Sequence, residues 1–319
     1  MQRTEEQTEL AAIVRALLDK RADSAAVRAA AASDGGYDQA LWRTLCDEIG
    51  AAALDVPEEH DGAGASLAES LVVLEELGRS LAPSPLLASV IAVEALLACD
   101  DEDARSRLLP RIAAGEIATV AFGATNVLFG AQADIVLAVV DNTLVELDPS
   151  VTRTATPALD LTLQLAELDL ASASQRRIGV PEAAARARDT ALVATAALQV
   201  GGMQRALDDT VAYTRQRVQF GRAIGSFQAL KHRMADMLVR VEMSRSALLA
   251  AATRPSTDAA LTAASYCSEA FMHVAAEMVQ LHGGIAITWE HDAHLVLKRA
   301  HALGTLWGLP HQHRALVAL

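Results

Sequence analysis

The sequence predicts a mainly α-helical protein with a small β domain between two helical units. Apolar residues recur at helical spacing over most of the first and last thirds of the chain. Alternating apolar residues and a turn dipeptide are confined to the middle. Aromatic residues make up only 3% of the 319 residues, while Ala, Leu and Val dominate. That composition suits helices packed against helices.

The first predicted unit is an N-terminal helical domain over residues 1–117. Apolar residues repeat at helical spacing in the segment Leu10–Leu18. Ser66 and Glu69 stand three residues apart before an apolar run, which is the pattern of a helix capping box. Leu109-Pro110, followed by Gly115, predicts the end of this helical part.

The second predicted unit is a truncated β domain over residues 118–177. Ala133–Val140 and Thr143–Leu147 are apolar segments on either side of Asp141-Asn142, so they predict two strands joined by a turn. Leu159–Leu170 alternates apolar and polar residues and predicts a further strand.

The third predicted unit is a C-terminal four-helix bundle over residues 178–319. Helical periodicity is interrupted by few breakers, of which Pro255 and Gly283-Gly284 separate successive helices. The predicted helices cover Ala183–Tyr213, Phe227–Thr253, Ser256–Leu281 and Asp292–Leu303.

Charge and composition exclude several classes of partner. The formal net charge of −13 argues against nucleic acid or an anionic membrane, because both bind basic patches. Three widely spaced cysteines argue against a disulfide framework. Residues 1–7 lack the apolar core of a signal peptide, and Leu86–Cys99 is shorter than the roughly 20 residues of a membrane span. We therefore expect a cytoplasmic protein.

The most informative motifs lie at the two ends of the bundle helices. One segment contains Arg217-x-Gln-Phe220-Gly221, followed by Phe227-Gln228 and, further on, Ala235-Asp236-Met237. A second segment, Gln280-Leu281-His282-Gly283-Gly284, follows a later helix. Each residue alone has an ordinary explanation, such as a solvated Arg or a glycine helix cap. Their joint spacing within one helical frame is a much more specific signal than any of these residues alone.

These motifs resemble the acyl-CoA dehydrogenase family along nearly the whole chain. Further residues that match the family lie in the N-terminal part, namely Trp42, Val56-Pro57-Glu58-Glu59, Gly62, Gly64 and Glu75-Glu76-Leu-Gly78-Arg79. Trp289-Glu290-His291-Asp292, with His294 and Lys298-Arg299, is similar to bacterial members that act on steroid side-chain CoA esters. The chain most resembles the short subunit of heteromeric α2β2 enzymes of that group.

The resemblance implies FAD as the cofactor and a binding site shared between two subunits. In the family, one subunit holds the flavin ring and its neighbour holds the ADP half. Arg217 would pair with the pyrophosphate, which suits the fixed donor fork of a guanidinium. The implied cofactor-binding residues are Arg217, Phe220, Gln228, Gln280, Leu281, His282, Gly283 and Gly284.

The catalytic half of such a site is missing from the sequence. Family members use a Glu as the base that removes a proton alpha to the thioester carbonyl. The two positions that carry it in the family correspond here to Gly308 and Ala191, neither of which can accept a proton. The loop that surrounds the flavin in the family is replaced by Ala121–Asn126. We therefore predict no catalytic residue in this chain.

A heteromer explains why the missing base and the replaced flavin loop both belong to one half of the site. A full-length partner would supply the base, hold the flavin ring and bind most of the acyl-CoA substrate, in an α2β2 tetramer with two FAD molecules. The substrate class expected from the resemblance is a bulky acyl-CoA such as a steroid side-chain thioester. Two alternatives remain open: a self-sufficient homotetramer with an unrecognised base, and a helical scaffold without flavin.

Weaker signals concern other polar residues of the bundle. His291, His294 and His301 have spacing compatible with metal ligands, but no cysteine or carboxylate cluster completes a site, so no metal is predicted. Glu290 and Asp292 could be a displaced base. Asp189 is two residues from Ala191, and we expect it on a different helix face. Lys298-Arg299 is expected to be a solvated or inter-subunit pair.

Overall fold

A computed structural model of the chain describes residues 3–317. Within that range the chain forms eleven α-helices and nine short strands. The first six helices precede any strand, as the sequence predicts. They are α1 (Glu5–Arg21), α2 (Ser24–Ala31), α3 (Gln39–Ile49), α4 (Leu67–Ser80), α5 (Leu86–Leu97) and α6 (Glu102–Ala113).

Polar side chains fix the starts of these helices. Ser66 and Glu69 form the predicted capping box before α4, and the Ser66 amide donates to Glu69 Oε2 at 2.9 Å. Thr4 and Gln7 form a second capping box before α1. Each box satisfies backbone amides that the first helical turn leaves without a partner. The capping-box signal at Ser66 and Glu69 therefore identifies the start of α4 correctly.

The middle of the chain forms two small sheets. The seven strands are β1 (Ala118–Ala121), β2 (Val127–Leu128), β3 (Ile135–Val140), β4 (Thr143–Leu147), β5 (Arg153–Thr156), β6 (Leu165–Leu168) and β7 (Gln175–Arg177). One sheet has the order β1-β3-β4-β7 and the other β2-β6-β5. In the first sheet β1 and β3 are parallel and the remaining pairs are antiparallel. Asp141 and Asn142 both have positive φ and close the predicted β3–β4 turn.

The strand predicted over Leu159–Leu170 is wrong in its first half. Only β6 is a strand, and the segment before it turns around the buried carboxylate of Asp160. Asp160 Oδ1 accepts from the Thr162 amide at 2.9 Å. Such a side-chain bond offers the backbone an alternative to the strand ladder, so alternation of apolar residues is misleading here.

The C-terminal part is a helical bundle, as the sequence predicts. A two-stranded hairpin, β8 (Val218–Gln219) and β9 (Arg222–Ala223), separates its first two helices. The helices are α7 (Pro181–Gln216), α8 (Gln228–Thr253), α9 (Thr257–His282), α10 (Ala293–Thr305) and the short α11 (Pro310–Leu316). The fold class, two helical parts around a small β part, is thus confirmed.

Helix α7 lies at the centre because glycines allow two helices to approach closely. A Cβ on Gly201 would lie 1.8 Å from the Glu75 carbonyl oxygen of α4, and a Cβ on Gly78 would lie 2.1 Å from the Leu198 carbonyl oxygen of α7. On the neighbouring position, a Cβ on Gly202 would meet the ring of Phe271 in α9. Backbone contacts this close exclude any other residue type. The sequence pattern identifies Gly201-Gly202 only as helix breakers.

A buried ion pair joins the three parts of the fold. Arg299 in α10 is almost fully buried, and its Nε lies 2.9 Å from Asp160 Oδ2 of the β part. Its Nη2 also donates to the Leu81 carbonyl, just after α4, at 3.3 Å. The expectation that Lys298-Arg299 is a solvated or inter-subunit pair is therefore wrong for Arg299. Lys298 lies over the Trp289 ring of the same chain, 5.5 Å from its centroid.

The predicted division into domains 1–117, 118–177 and 178–319 stays a prediction. Its two ends lie outside the described residues 3–317. Among residues 3–317, no helix is long and apolar enough to cross a membrane.

We predict that Gly201→Ala destabilises the protein strongly. The added methyl would collide with the α4 backbone, which a rotamer change cannot relieve, so we expect a loss of about 3 kcal/mol or no folded protein. Urea unfolding of the full chain measures the effect. Gly123→Ala is the matched control, because a Cβ there meets nothing within 4 Å. Equal stability of the two variants would contradict the close α4–α7 contact.

Candidate functional site

The ends of α7 and α9, which carry the predicted cofactor motifs, meet in space. The rings of Tyr213 and His282 stack with centroids 4.4 Å apart. The Tyr213 hydroxyl also donates to the His282 carbonyl oxygen at 3.2 Å. Arg217 follows Tyr213 by four residues and Gly283 follows His282 directly, so both predicted segments lie at one end of the bundle. We call this region, residues 217–228 and 280–284, the bundle edge.

The hairpin after α7 holds an exposed aromatic ring in an unfavourable backbone conformation. Phe220 and Gly221 both have positive φ, at 52° and 76°, as the central pair of a tight β8–β9 turn. A left-handed conformation costs a residue with a side chain about 1–2 kcal/mol. Phe220 is nevertheless 91% exposed. Its ring meets that of Phe227 edge-to-face, with 6.1 Å between the centroids, and most of the Phe220 ring stays open to another surface.

The charged and amide side chains of the bundle edge are available for a ligand. Among residues 3–317, the guanidinium of Arg217 has no hydrogen-bond or ion-pair partner, and the side chain is exposed. Gln228 is also exposed and contacts only the His232 ring, with 2.9 Å between Gln228 Nε2 and His232 Nε2. Gln280 is exposed as well. An unpaired Arg beside amides is a suitable binding group for a phosphate.

The glycines that follow α9 have no packing reason within this chain. A Cβ on Gly283 or Gly284 would meet nothing within 4 Å. Gly283 has a φ of +67°, which favours glycine, but Gly284 has no such requirement. A glycine that neither conformation nor neighbours explain is one that a ligand can approach closely at its backbone.

Leu281 and His282 differ from the rest of the predicted set because their side chains are buried. Burial lowers the pKa of His282, opposed by the bond to the Met278 carbonyl, whose oxygen lies 2.7 Å from Nδ1. This imidazole is therefore neutral near pH 7. Its side chain serves packing between α7 and α9, and only its backbone borders the bundle edge.

A separate cavity of about 670 Å³ lies where the sequence places the missing base. Helix α7 contributes Ala191, one of the two positions that would carry a base, and β1 with the following loop supplies another wall. Trp307, which precedes Gly308, closes part of the cavity. Its Nε1 donates to Thr195 Oγ1 at 2.7 Å, and its ring meets Phe122 edge-to-face at 5.3 Å. We call this space the loop cavity.

Asp189 and Ala191 reach the same cavity although they stand two residues apart on α7. Both residues line the loop cavity, and among the described residues that line it Asp189 is the one carboxylate. The Thr257 hydroxyl donates to Asp189 Oδ2 at 2.8 Å. Burial raises the pKa of Asp189, while Thr257 and Arg186 act to lower it. A raised pKa is one property of a general base, which makes Asp189 the main candidate for an unrecognised one.

Asp292 is unsuited to the role of a displaced base. Arg28 Nη2 and Arg205 Nη2 lie 2.9 and 3.0 Å from its two oxygens, and Ser24 donates at 2.6 Å. Burial acts to raise the pKa of Asp292, but these three donors together hold it below its usual value. In residues 3–317, no three His, Cys, Asp or Glu side chains come together as a potential metal site.

The comparisons with known families cover most of the chain. The acyl-CoA dehydrogenase N-terminal domain matches residues 4–116, and the acyl-CoA dehydrogenase C-terminal domain matches residues 185–318. The chain is 46% identical over 310 residues to the acyl-CoA dehydrogenase IpdE2 of Mycolicibacterium smegmatis, covering 97% of this chain and 96% of that protein. IpdE2 of Mycobacterium tuberculosis is also 46% identical, over 97% of this chain and 95% of that protein.

Solved structures are similar to this chain as well. The ChsE4–ChsE5 complex of Mycobacterium tuberculosis contains a chain that is 27% identical, with a TM-score of 0.89 over 98% of this chain and 96% of that one. A chain of the Tcur3481–Tcur3483 steroid acyl-CoA dehydrogenase is 27% identical, with a TM-score of 0.90 and the same coverage.

We predict that Gly284→Ala separates folding from ligand binding at the bundle edge. Because nothing in this chain lies near the added methyl, the melting temperature of the free chain should stay the same or rise slightly. A ligand that approaches this backbone should bind at least about tenfold more weakly, which the FAD content of the chain co-expressed with a full-length partner, after dialysis, measures. Gly123→Ala, equally open and outside the bundle edge, is the control. Unchanged FAD content would remove Gly284 from the site.

Proposed function

The chain belongs to the acyl-CoA dehydrogenase family, and we propose that it is a non-catalytic, FAD-sharing subunit of a heteromeric member. The family consists of FAD-dependent oxidoreductases, so FAD is the relevant cofactor. One observation carries the proposal. The bundle edge presents unpaired binding groups, whereas both positions expected to carry a base hold residues that cannot take a proton.

The bundle edge suits the ADP half of FAD in its chemistry. The pyrophosphate is doubly negative, and Arg217 is an exposed cation without a competing carboxylate among the described residues. Gln228 and Gln280 add neutral donors and acceptors that can bind ribose or adenine. The open backbone at Gly283 and Gly284 permits close approach. The exposed ring of Phe220 would be covered by the cofactor or by the subunit that holds it.

Proton removal is the step that this chain lacks. When bound, flavin accepts the hydride, and a carboxylate must take the proton alpha to the thioester. Ala191 and Gly308 offer no carboxylate. A side chain at Gly308 is also disfavoured, because its φ is +124° and a Cβ would lie 3.1 Å from the His313 ring. In the proposal, the partner subunit supplies the base.

Exposed apolar side chains support a subunit interface along α8 and beyond the bundle edge. Leu238, Val239 and Met243 are each about half exposed on one helix, Trp289 is exposed to a similar degree, and Ile287 is 77% exposed. Patches of this kind mark protein–protein contacts. We propose that a full-length acyl-CoA dehydrogenase subunit covers them in an α2β2 tetramer with two FAD molecules.

The proposed substrate of the complex is a bulky acyl-CoA, of which a steroid side-chain thioester is the favoured example. The support comes from similarity to a chain of the Tcur3481–Tcur3483 steroid acyl-CoA dehydrogenase, which shares 27% identity with this one. The complex would desaturate the acyl group between its α and β carbons. Most contacts to the acyl-CoA would come from the partner.

We predict that Arg217→Ala strips FAD from the complex without disturbing assembly. Loss of a charge-assisted contact should weaken FAD binding by about 10- to 100-fold. Flavin absorbance per complex after gel filtration measures the loss. Arg215→Ala is a matched control, because Arg215 is an exposed Arg of the last α7 turn, two residues away. FAD content unchanged in Arg217→Ala would contradict the shared site and favour the flavin-free scaffold.

A second candidate function follows from the position of Asp189 in the loop cavity. A self-sufficient enzyme would use Asp189 as base, and Asp189→Asn would then lower kcat by at least about 100-fold. The favoured proposal predicts a change of less than about twofold in turnover of the complex, because the base belongs to the partner. Glu182→Gln, an exposed acid on the same helix, controls for charge. Steady-state turnover of both variants decides between the two.

A further inference from the structure

The bundle edge concentrates positive charge in a chain that is otherwise acidic. Residues 210–235 include five Arg or Lys residues and no Asp or Glu, although the formal net charge of the whole chain is −13. One of these cations, Arg233, forms an ion pair with Glu277 of α9, with 2.5 Å between Nε and Oε2. Arg217 and Arg222 are exposed, and neither guanidinium has a hydrogen-bond or ion-pair partner among residues 3–317. The predicted cofactor-binding set contains Arg217 but not Arg222.

Arg222 and Arg217 lie on the same face of the hairpin that β8 and β9 form. Gln219 is paired with Arg222 across the hairpin, and Arg217 stands two residues before Gln219. The Ile224 amide donates to the Arg217 carbonyl at 2.8 Å, so the pairing continues to that position. Side chains that stand opposite each other, or two residues apart on one strand, share a face of the ladder. Arg217 and Arg222 are therefore diagonal neighbours, which in such a ladder stand roughly 7–8 Å apart.

The ring of Phe227 holds the Arg222 side chain in place. The Cζ atom of Arg222 lies 4.0 Å from the centroid of that ring. The edge-to-face contact between Phe220 and Phe227 holds the hairpin tip against the start of α8. A cation–π contact engages the positive charge through the ring face and uses none of the N–H donors. Arg222 is thus ordered before a ligand arrives, and its donors stay available.

The arrangement selects an anion that carries two adjacent negative charges. Two cations share one face, and no carboxylate in residues 210–235 neutralises them. The pyrophosphate of FAD has one negative charge on each phosphate, and a guanidinium can bond two phosphate oxygens at once. Gln219, on the same face, adds an amide donor. A single carboxylate would need only one of the two cations.

We propose that Arg222 is a second pyrophosphate-binding residue of the shared FAD site, held in position by Phe227. The inference rests on the proposed function, because it concerns the ADP half of FAD that this chain is proposed to bind. Arg217 and Arg222 each bond one phosphate, and Phe227 acts through Arg222 as a positioning residue. The positive φ of Phe220 closes the turn that brings Arg222 back beside Arg217, which gives the strained turn a role in binding.

Calorimetric titration of the complex with a full-length partner, after removal of its flavin, tests the proposal. FAD is the ligand, and ADP and adenosine serve as competitors. Arg222→Gln should weaken the binding of FAD and of ADP about tenfold and leave that of adenosine unchanged, because adenosine has no phosphate. Arg254→Gln is the matched control, since Arg254 is also an exposed Arg but lies at the far end of α8. It should change none of the three affinities.

A double-mutant cycle tests the role of Phe227. Phe227→Leu removes the ring and should weaken FAD binding about three- to fivefold when Arg222 is present. If Phe227 acts through Arg222, the same change in the Arg222→Gln background should add nothing. Phe227→Tyr keeps a ring beside the guanidinium and should retain FAD binding. A packing role alone would weaken FAD binding equally in both backgrounds and would exclude Phe227 as a positioning residue.

Arg217→Gln, measured in the same way, separates failure of this inference from failure of the proposed function. Weaker FAD binding in Arg217→Gln but not in Arg222→Gln would overturn the role of Arg222 and leave the shared site intact. Unchanged affinity in both variants would overturn the shared site itself. Equal losses for ADP and adenosine in Arg222→Gln would show a general structural effect and would also exclude the phosphate contact. Dissociation of the Arg222→Gln complex would assign Arg222 to an acidic group of the partner instead of the cofactor.

Discussion

The arrangement of this molecule depends on one buried guanidinium. Arg299 connects α10 to Asp160 in the β part and to the carbonyl of Leu81 after α4, so it touches all three parts of the chain. Removing one partner of such a pair leaves a buried charge and typically costs about 3–5 kcal/mol. Arg299 also fixes α10, whose following turn brings Trp307 to the loop cavity. The geometry of that cavity is therefore coupled to the ion pair.

The bundle edge and the loop cavity have opposite character. At the bundle edge the chain keeps a strained Phe220 that is largely exposed and an Arg217 guanidinium without a partner among residues 3–317. At the loop cavity the groups are satisfied within the chain, as in the bond from Trp307 to Thr195. Strain and unpaired charge persist where something else compensates them. This contrast supports a subunit that contributes one half of a shared cofactor site and lacks the residues of the other half.

The helices and the β3–β4 turn could be predicted from the sequence because they depend on strong local patterns. Helix α7 has helical periodicity and few breakers over more than thirty residues, and the Asp141-Asn142 turn has a specific dipeptide. The motifs around Arg217 and Gly283 identified the bundle edge for the same reason. Whether these residues bind FAD stays a prediction that the proposed variants test.

Features that depend on tertiary partners could not be predicted. The strand predicted from Leu159 begins only at β6, because Arg299, distant in sequence, draws Asp160 into the core. Helix faces could not show that Asp189 and Ala191 line one cavity, since a cavity lined from several elements reaches more than one face of α7. The burial of Asp55 could not be predicted either, because a single acid between apolar residues of a turn segment gives no indication in the sequence that it is buried.

The stoichiometry of FAD in the native assembly tests the central claim most directly. The chain would be purified alone and co-expressed with a full-length family member, and flavin per chain measured together with native mass. The account predicts no retained FAD for the chain alone and one FAD per pair of unlike chains in a tetramer. One FAD per chain in a homotetramer would contradict it.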